Sequence, residues 1–143
     1  MGPDDARLED VRAWLSKAEF DLRAAAHEAS APEEGLWADV MFHSQQAAEK
    51  AMKAFLAWHD APFRKTHNLE ALGQQCVGLD PALGAIAGQA APLTEYAWKF
   101  RYPGEPGEPD RAEAEAALAA ARSVYEAMLT RLPARARPSG QGV

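Results

Sequence analysis

The chain has a single cysteine, Cys76, in 143 residues, so no disulfide can form within it, and one free thiol suits a reducing cytoplasm. No apolar run approaches the roughly 18 residues that a membrane-spanning helix needs. The first ten residues, MGPDDARLED, are acidic and lack the apolar stretch of a signal peptide. A cytoplasmic protein with no membrane partner is therefore expected. Runs of valine and isoleucine are missing too, and with them the usual material of β-strands. Positive charge is scarce: the formal net charge is −6. Residues 1–60 hold 6 basic and 12 acidic side chains, 61–100 hold 3 of each and 101–143 hold 6 of each. No basic stripe of a general nucleic-acid binder runs along such a chain.

Several familiar sites are also lacking. A di-iron carboxylate bundle needs Glu-x-x-His on two helices, but Ala24, Val40, Leu56 and Arg64 stand three residues before the four histidines. There is no His-Glu-x-x-His motif and no cysteine pair for zinc. Gly104 and Gly107 lie among prolines rather than between a strand and a helix, so they make no phosphate loop. Neither a metal nor another cofactor is expected.

What is present is helical periodicity. Apolar residues make up 48% of the chain and charged residues 25%, the profile of a globular domain large enough to bury its own core. Leu8, Val11, Leu15, Ala18, Leu22, Ala25 and Ala29 recur at intervals of three and four, which predicts a helix from about Asp4 to Ala29, stopped by Pro32. A second helix is expected from about Gly35 to His59 and a third, shorter one from Thr66 to Cys76. Asp80-Pro81 is a start signal for a fourth, reaching about Phe100 with Pro92 kinking or splitting it. The segment from Pro103 to Pro109 reads as a loop. Asp110 and Glu113 form a capping box for a fifth helix that carries Ala117, Leu118, Ala121, Val124, Tyr125, Met128 and Leu132. The sum is an all-α, up-and-down bundle of about five helices. Residues 1–132 are expected to form one domain, and 133–143 a flexible basic tail with Arg135 and Arg137.

The second helix carries the densest chemistry. At about 100° per residue, Asp39, Gln46, Glu49, Lys50 and Lys53 share one side, while Val40, Ala47, Ala48, Ala51 and Phe55 share the other. Lys50 and Lys53, three apart, can offer two ammonium groups to a phosphate, with His43 two turns before Lys50. The plain alternative is a solvated face whose Glu49–Lys53 pair at i,i+4 contributes only about 0.2–0.5 kcal/mol. His67 sits where Thr66 or Asn68 can cap a helix, either as an anion ligand or as a residue oriented by the cap. Lys99 and Arg101 flank Phe100 and precede Tyr102, a set that can stack on and pair with a nucleotide or simply complement a helix dipole. Phe42, Trp37 and Trp58 hint at a partner surface.

Four stretches, in order, give the chain a family likeness: Ala18-Glu19-x-Asp21-Leu22, His43-Ser-Gln-Gln-Ala-Ala-Glu-Lys50-Ala-Met-Lys53-Ala-Phe-Leu56, Thr66-His67-Asn68-Leu69 and Arg101-Tyr102-Pro103. In these it resembles the HEPN domain family (higher eukaryotes and prokaryotes nucleotide-binding). The resemblance implies a helical bundle, commonly a homodimer. Small prokaryotic members of this kind are encoded beside a minimal nucleotidyltransferase as a toxin–antitoxin pair. Other members are metal-independent RNases built on Arg-x(4–6)-His. This chain departs from that motif: three residues separate Arg23 from His27, and two separate Arg64 from His67. The expectation is a nucleotide- or RNA-associated interaction subunit whose candidate binding residues are His43, Gln46, Lys50, Lys53, His67, Lys99 and Arg101. The alternatives are an RNase toxin with a non-standard site and a purely structural helical dimer.

Overall fold

The computed structural model describes residues 2–31, 35–103 and 107–138. All regular structure among them is helical: α1 (Pro3–Ser30), α2 (Trp37–Trp58), α3 (Leu69–Leu79), α4 (Gly84–Ala90) and α5 (Arg111–Leu129), with 3₁₀ turns at Pro81–Leu83, Ala91–Ala97 and Ala134–Ala136. The expected stop at Pro32, the middle of the proline–glycine loop (104–106) and the end of the tail (139–143) lie outside the described residues.

Local chemistry sets the ends of these elements. The Asp5 carboxylate accepts from the Gly2 amide at 3.0 Å, closing the first turn of α1. α2 ends where Asp60 takes a left-handed φ of 54°, while the Ala61 amide reaches back to the Leu56 carbonyl at 2.9 Å. That bond is the Schellman closure of a helix end. α3 begins three residues later than the periodicity predicts. Asn68 is its cap, accepting from the amides of Glu70 and Ala71 at 3.0 and 3.2 Å, and Thr66 instead accepts from the Asn68 amide just upstream. The Leu69 amide, a third donor at that end, goes to the Thr94 hydroxyl. The predicted fourth helix is broken into three pieces: Pro81 opens the first after the Asp80 cap, and Pro92, which lacks an amide hydrogen, falls where α4 gives way to the Ala91–Ala97 turn. Asp110 and Glu113 exchange hydrogen bonds at 2.8 and 3.2 Å and start α5.

α2 is the central helix, packed against α1, α3, α5 and the Ala91–Ala97 turn. Ala47, Ala48, Ala51 and Ala54 are fully buried, and such small side chains let neighbouring helices approach closely. Met41, Met52, Phe55 and Leu56 of α2 fill the core with Leu15 of α1, Leu69 and Leu72 of α3, and Met128 of α5. Each large side chain so buried contributes roughly 1.5–3 kcal/mol. Cys76 is buried there, and desolvation pushes its thiol pKa up to about 12, so it packs as a small hydrophobe. The chain after α5 turns back on α1: Ala136 is buried, and the Arg135 carbonyl accepts from the Arg12 guanidinium. No helix among the described residues is long and apolar enough to cross a membrane.

Candidate functional site

The polar side of α2 is packed against other elements, so it is largely removed from water. Glu49 is 4% exposed and Lys53 6%, and their carboxylate and ammonium meet at 2.9 Å. The Lys53 nitrogen lies 5.5 Å from the centre of the Trp14 ring of α1 and 5.6 Å from that of Phe63, in the segment that follows α2. Those two rings meet edge to face at 5.9 Å, so the ammonium group is held by a carboxylate and two aromatic faces. Lys50 extends to α1 instead and meets Asp21 at 2.6 Å. His43 meets Glu28 of α1 through Nδ1 at 2.8 Å. The joint phosphate clamp that Lys50 and Lys53 could have offered is therefore not formed: each ammonium group has its own carboxylate, and one of the pairs is buried.

Glu49 links the buried network to the surface. Its Oε1 accepts from Gln45 Nε2 at 3.2 Å and lies 2.7 Å from His67 Nδ1. Gln45 also donates to the His67 carbonyl at 3.1 Å and accepts from Gln46 Nε2 at 2.6 Å. Burial raises the Glu49 pKa, but hydrogen bonds from His67, Lys53 and Gln45 together with the Lys53 charge outweigh it and hold the carboxyl below its usual range. The histidine ring thus has one nitrogen fixed by a buried carboxylate, while its side chain remains 61% exposed. In that arrangement Nδ1 carries the proton shared with Glu49 and Nε2 is left to face solvent.

A second cluster lies one turn earlier on α2. The Arg101 guanidinium sits 3.9 Å above the Phe42 ring, and Phe42 meets His43 edge to face at 5.5 Å. Phe100, just before Arg101, has a left-handed φ of 68°, uncommon for a bulky residue. Lys99 pairs with Glu95 at 3.0 Å, one turn back along its own segment. Trp98 and Tyr102 flank this segment and are 51% and 65% exposed. Of the seven candidates, Gln46, Lys53 and His67 belong to one network around Glu49. His43, Lys50 and Lys99 have separate carboxylate partners, and Arg101 covers Phe42.

Asp21, Glu28, Gln45, Glu49, Trp14, Phe63 and Trp98 complete this geometry without having been candidates. Gln45 and Glu49 stood in the motif itself. The contacts of Trp14 and Phe63 with Lys53 left no mark on local spacing. Among the described residues no group of three or more histidine, cysteine, aspartate or glutamate side chains is placed to hold a metal ion. Trp37 lies under Arg111 at 5.2 Å, and Trp58 under Arg7 at 5.5 Å, so neither is a bare partner surface.

No curated protein matches the chain, and neither does any solved structure. The HEPN domain family model matches residues 11–132, a span that contains α1 from its third turn, the whole Glu49 network and α5. The chain belongs to the HEPN domain family, and with it to a nucleotide- or RNA-related class of function.

Proposed function

We propose that the protein is a homodimeric nucleotide- or RNA-associated interaction subunit that acts with a minimal nucleotidyltransferase in a toxin–antitoxin type pair. The observation that carries this reading is His67, fixed by the buried Glu49 and largely exposed, on the same helix-side network as Gln46. Arg101 on Phe42 and the exposed Trp98 and Tyr102 add a cation and ring faces on which a base can stack. Lys50 and His43 are partly exposed and offer further donors at the edge, as does Lys99; Lys53 acts by holding Glu49 in its charged form.

Titration of the full-length protein with ATP and with a short single-stranded RNA tests the site. Loss of a charge-assisted hydrogen bond is expected to weaken binding by about tenfold or more in both His67→Ala and Arg101→Ala. Few phosphates are neutralised on so acidic a chain, so log K should fall with log salt at a slope of only about −1 to −2. Unchanged binding in both variants would refute the assignment. Sedimentation at twice the mass of the chain, and co-purification with a co-expressed nucleotidyltransferase, read the assembly.

The Glu49–His67 pair also favours a second reading, metal-independent RNA cleavage with His67 as general acid or base. The same RNA incubated in EDTA separates the two. Cleavage that disappears in His67→Ala supports the enzyme, and intact RNA that still binds supports the interaction subunit.

A further inference from the structure

Glu19 and Tyr125 lie on the opposite side of α1 from the Trp14–Lys53 contact, where α1 faces α5. Glu19 is only 8% exposed, and its Oε2 is buried without a hydrogen-bond partner. A buried carboxylate oxygen left in this state is costly, because nothing replaces the water it lost. It lines a cavity of about 130 Å³ together with Leu22, Arg23, Arg122, Tyr125 and Glu126. Arg23 and Arg122 are exposed, and neither forms an ion pair with a described residue. Tyr125 is 3% exposed. Burial, and then the Glu19 charge, push its pKa up to about 12, and its neutral hydroxyl hydrogen-bonds the Glu19 side chain, which leaves Oε2 as the open oxygen of that carboxylate.

We propose that this cavity binds a small zwitterion of the amino-acid class, with its ammonium group on Glu19 and its carboxylate on Arg23 and Arg122. The charge order of the site carries the assignment. A carboxylate oxygen without a hydrogen-bond partner lies in the buried part, two guanidinium groups that pair with no described carboxylate lie in the exposed part beside the exposed Glu126, and the apolar Leu22 borders them. The volume, about 130 Å³, equals that of roughly four water molecules, which suits glycine or alanine. A ligand with only an ammonium group leaves the arginines unused, and one with only a carboxylate meets Glu19 with like charge. The site is independent of the Glu49–His67 surface, because it lies between α1 and α5 and shares no residue with it.

The test is calorimetric titration of the full-length protein with glycine, L-alanine, methylammonium and acetate, repeated on Glu19→Gln and on Arg122→Met. Glycine or alanine should bind more tightly than either fragment. Affinity should fall by about tenfold to a hundredfold in Glu19→Gln, the span of one charge-assisted hydrogen bond. Arg122 is exposed, so Arg122→Met is expected to fold even where Glu19→Gln does not, and it should weaken the amino acids while leaving methylammonium unchanged. Absence of binding by all four probes overturns the proposal, as does amino-acid binding that is equal in the parent and in Arg122→Met.

Discussion

Glu49→Ala is expected to lower the unfolding free energy by about 3–5 kcal/mol, the usual cost of leaving one partner of a buried ion pair uncompensated. An exposed i,i+4 pair contributes only about 0.2–0.5 kcal/mol, so urea denaturation of this single variant decides whether the Glu49–Lys53 pair is buried in solution. A loss below about 0.5 kcal/mol would contradict the packing of Lys53 between Trp14 and Phe63. The effect is asymmetric. Replacing both partners by apolar residues of similar size, as in Glu49→Leu with Lys53→Met, is expected to recover most of the loss, because no lone charge is then left among the rings.

The pH dependence has a definite sign. The folded state holds the Glu49 carboxyl below its usual value of 4.5, so the charged form stabilises the fold. That contribution is complete above the unfolded pKa and is lost as pH falls through the lower, folded value. Parent and Glu49→Ala stabilities should therefore converge in acid and stay apart at neutral pH.

The difference between that result and a solvated-face reading marks where the sequence stops being informative. Apolar spacing at three and four located α1, α2 and α5, because it records which side of a helix meets a core. The start of α5 was legible in Asp110 and Glu113, since a capping box is local chemistry. Pro92 likewise announced a break in the fourth helix. The fate of the second-helix polar face depends instead on partners distant in sequence. Lys50 finds Asp21 29 residues away, and His67 finds Glu49 at a separation of 18. A helical wheel sorts residues around one axis and says nothing of what stands opposite. The HEPN likeness identified the family, yet the buried Glu49 that orients His67 appears only when α2 and the segment before α3 are brought together.

Phe55→Ala is expected to cost about 3–5 kcal/mol, the range for a truncated core aromatic. Phe55 is 1% exposed and is the largest of the fully buried side chains. Along its own helix Ala47, Ala48, Ala51 and Ala54 make up much of the buried side, and they have no atoms to spare for filling the space left behind. The His59 ring, 4.6 Å from that of Phe55, would lose its neighbour and stay at the exposed end of α2. Met52 is the flexible side chain of α2 nearest in sequence, and to move it would have to leave its contact region near Gly73. A cavity is therefore expected to persist, and cavity volume is what separates severe from mild truncations. Phe55→Leu should cost less, about 1–1.5 kcal/mol, because much of the volume remains. Titration distinguishes this loss from that of Glu49→Ala. Phe55→Ala removes apolar packing and no charge, so its deficit should stay constant from neutral to acid pH while the Glu49→Ala deficit shrinks. If both deficits shrink together in acid, the Glu49 network and the alanine-lined core of α2 are one cooperative unit rather than two adjoining ones.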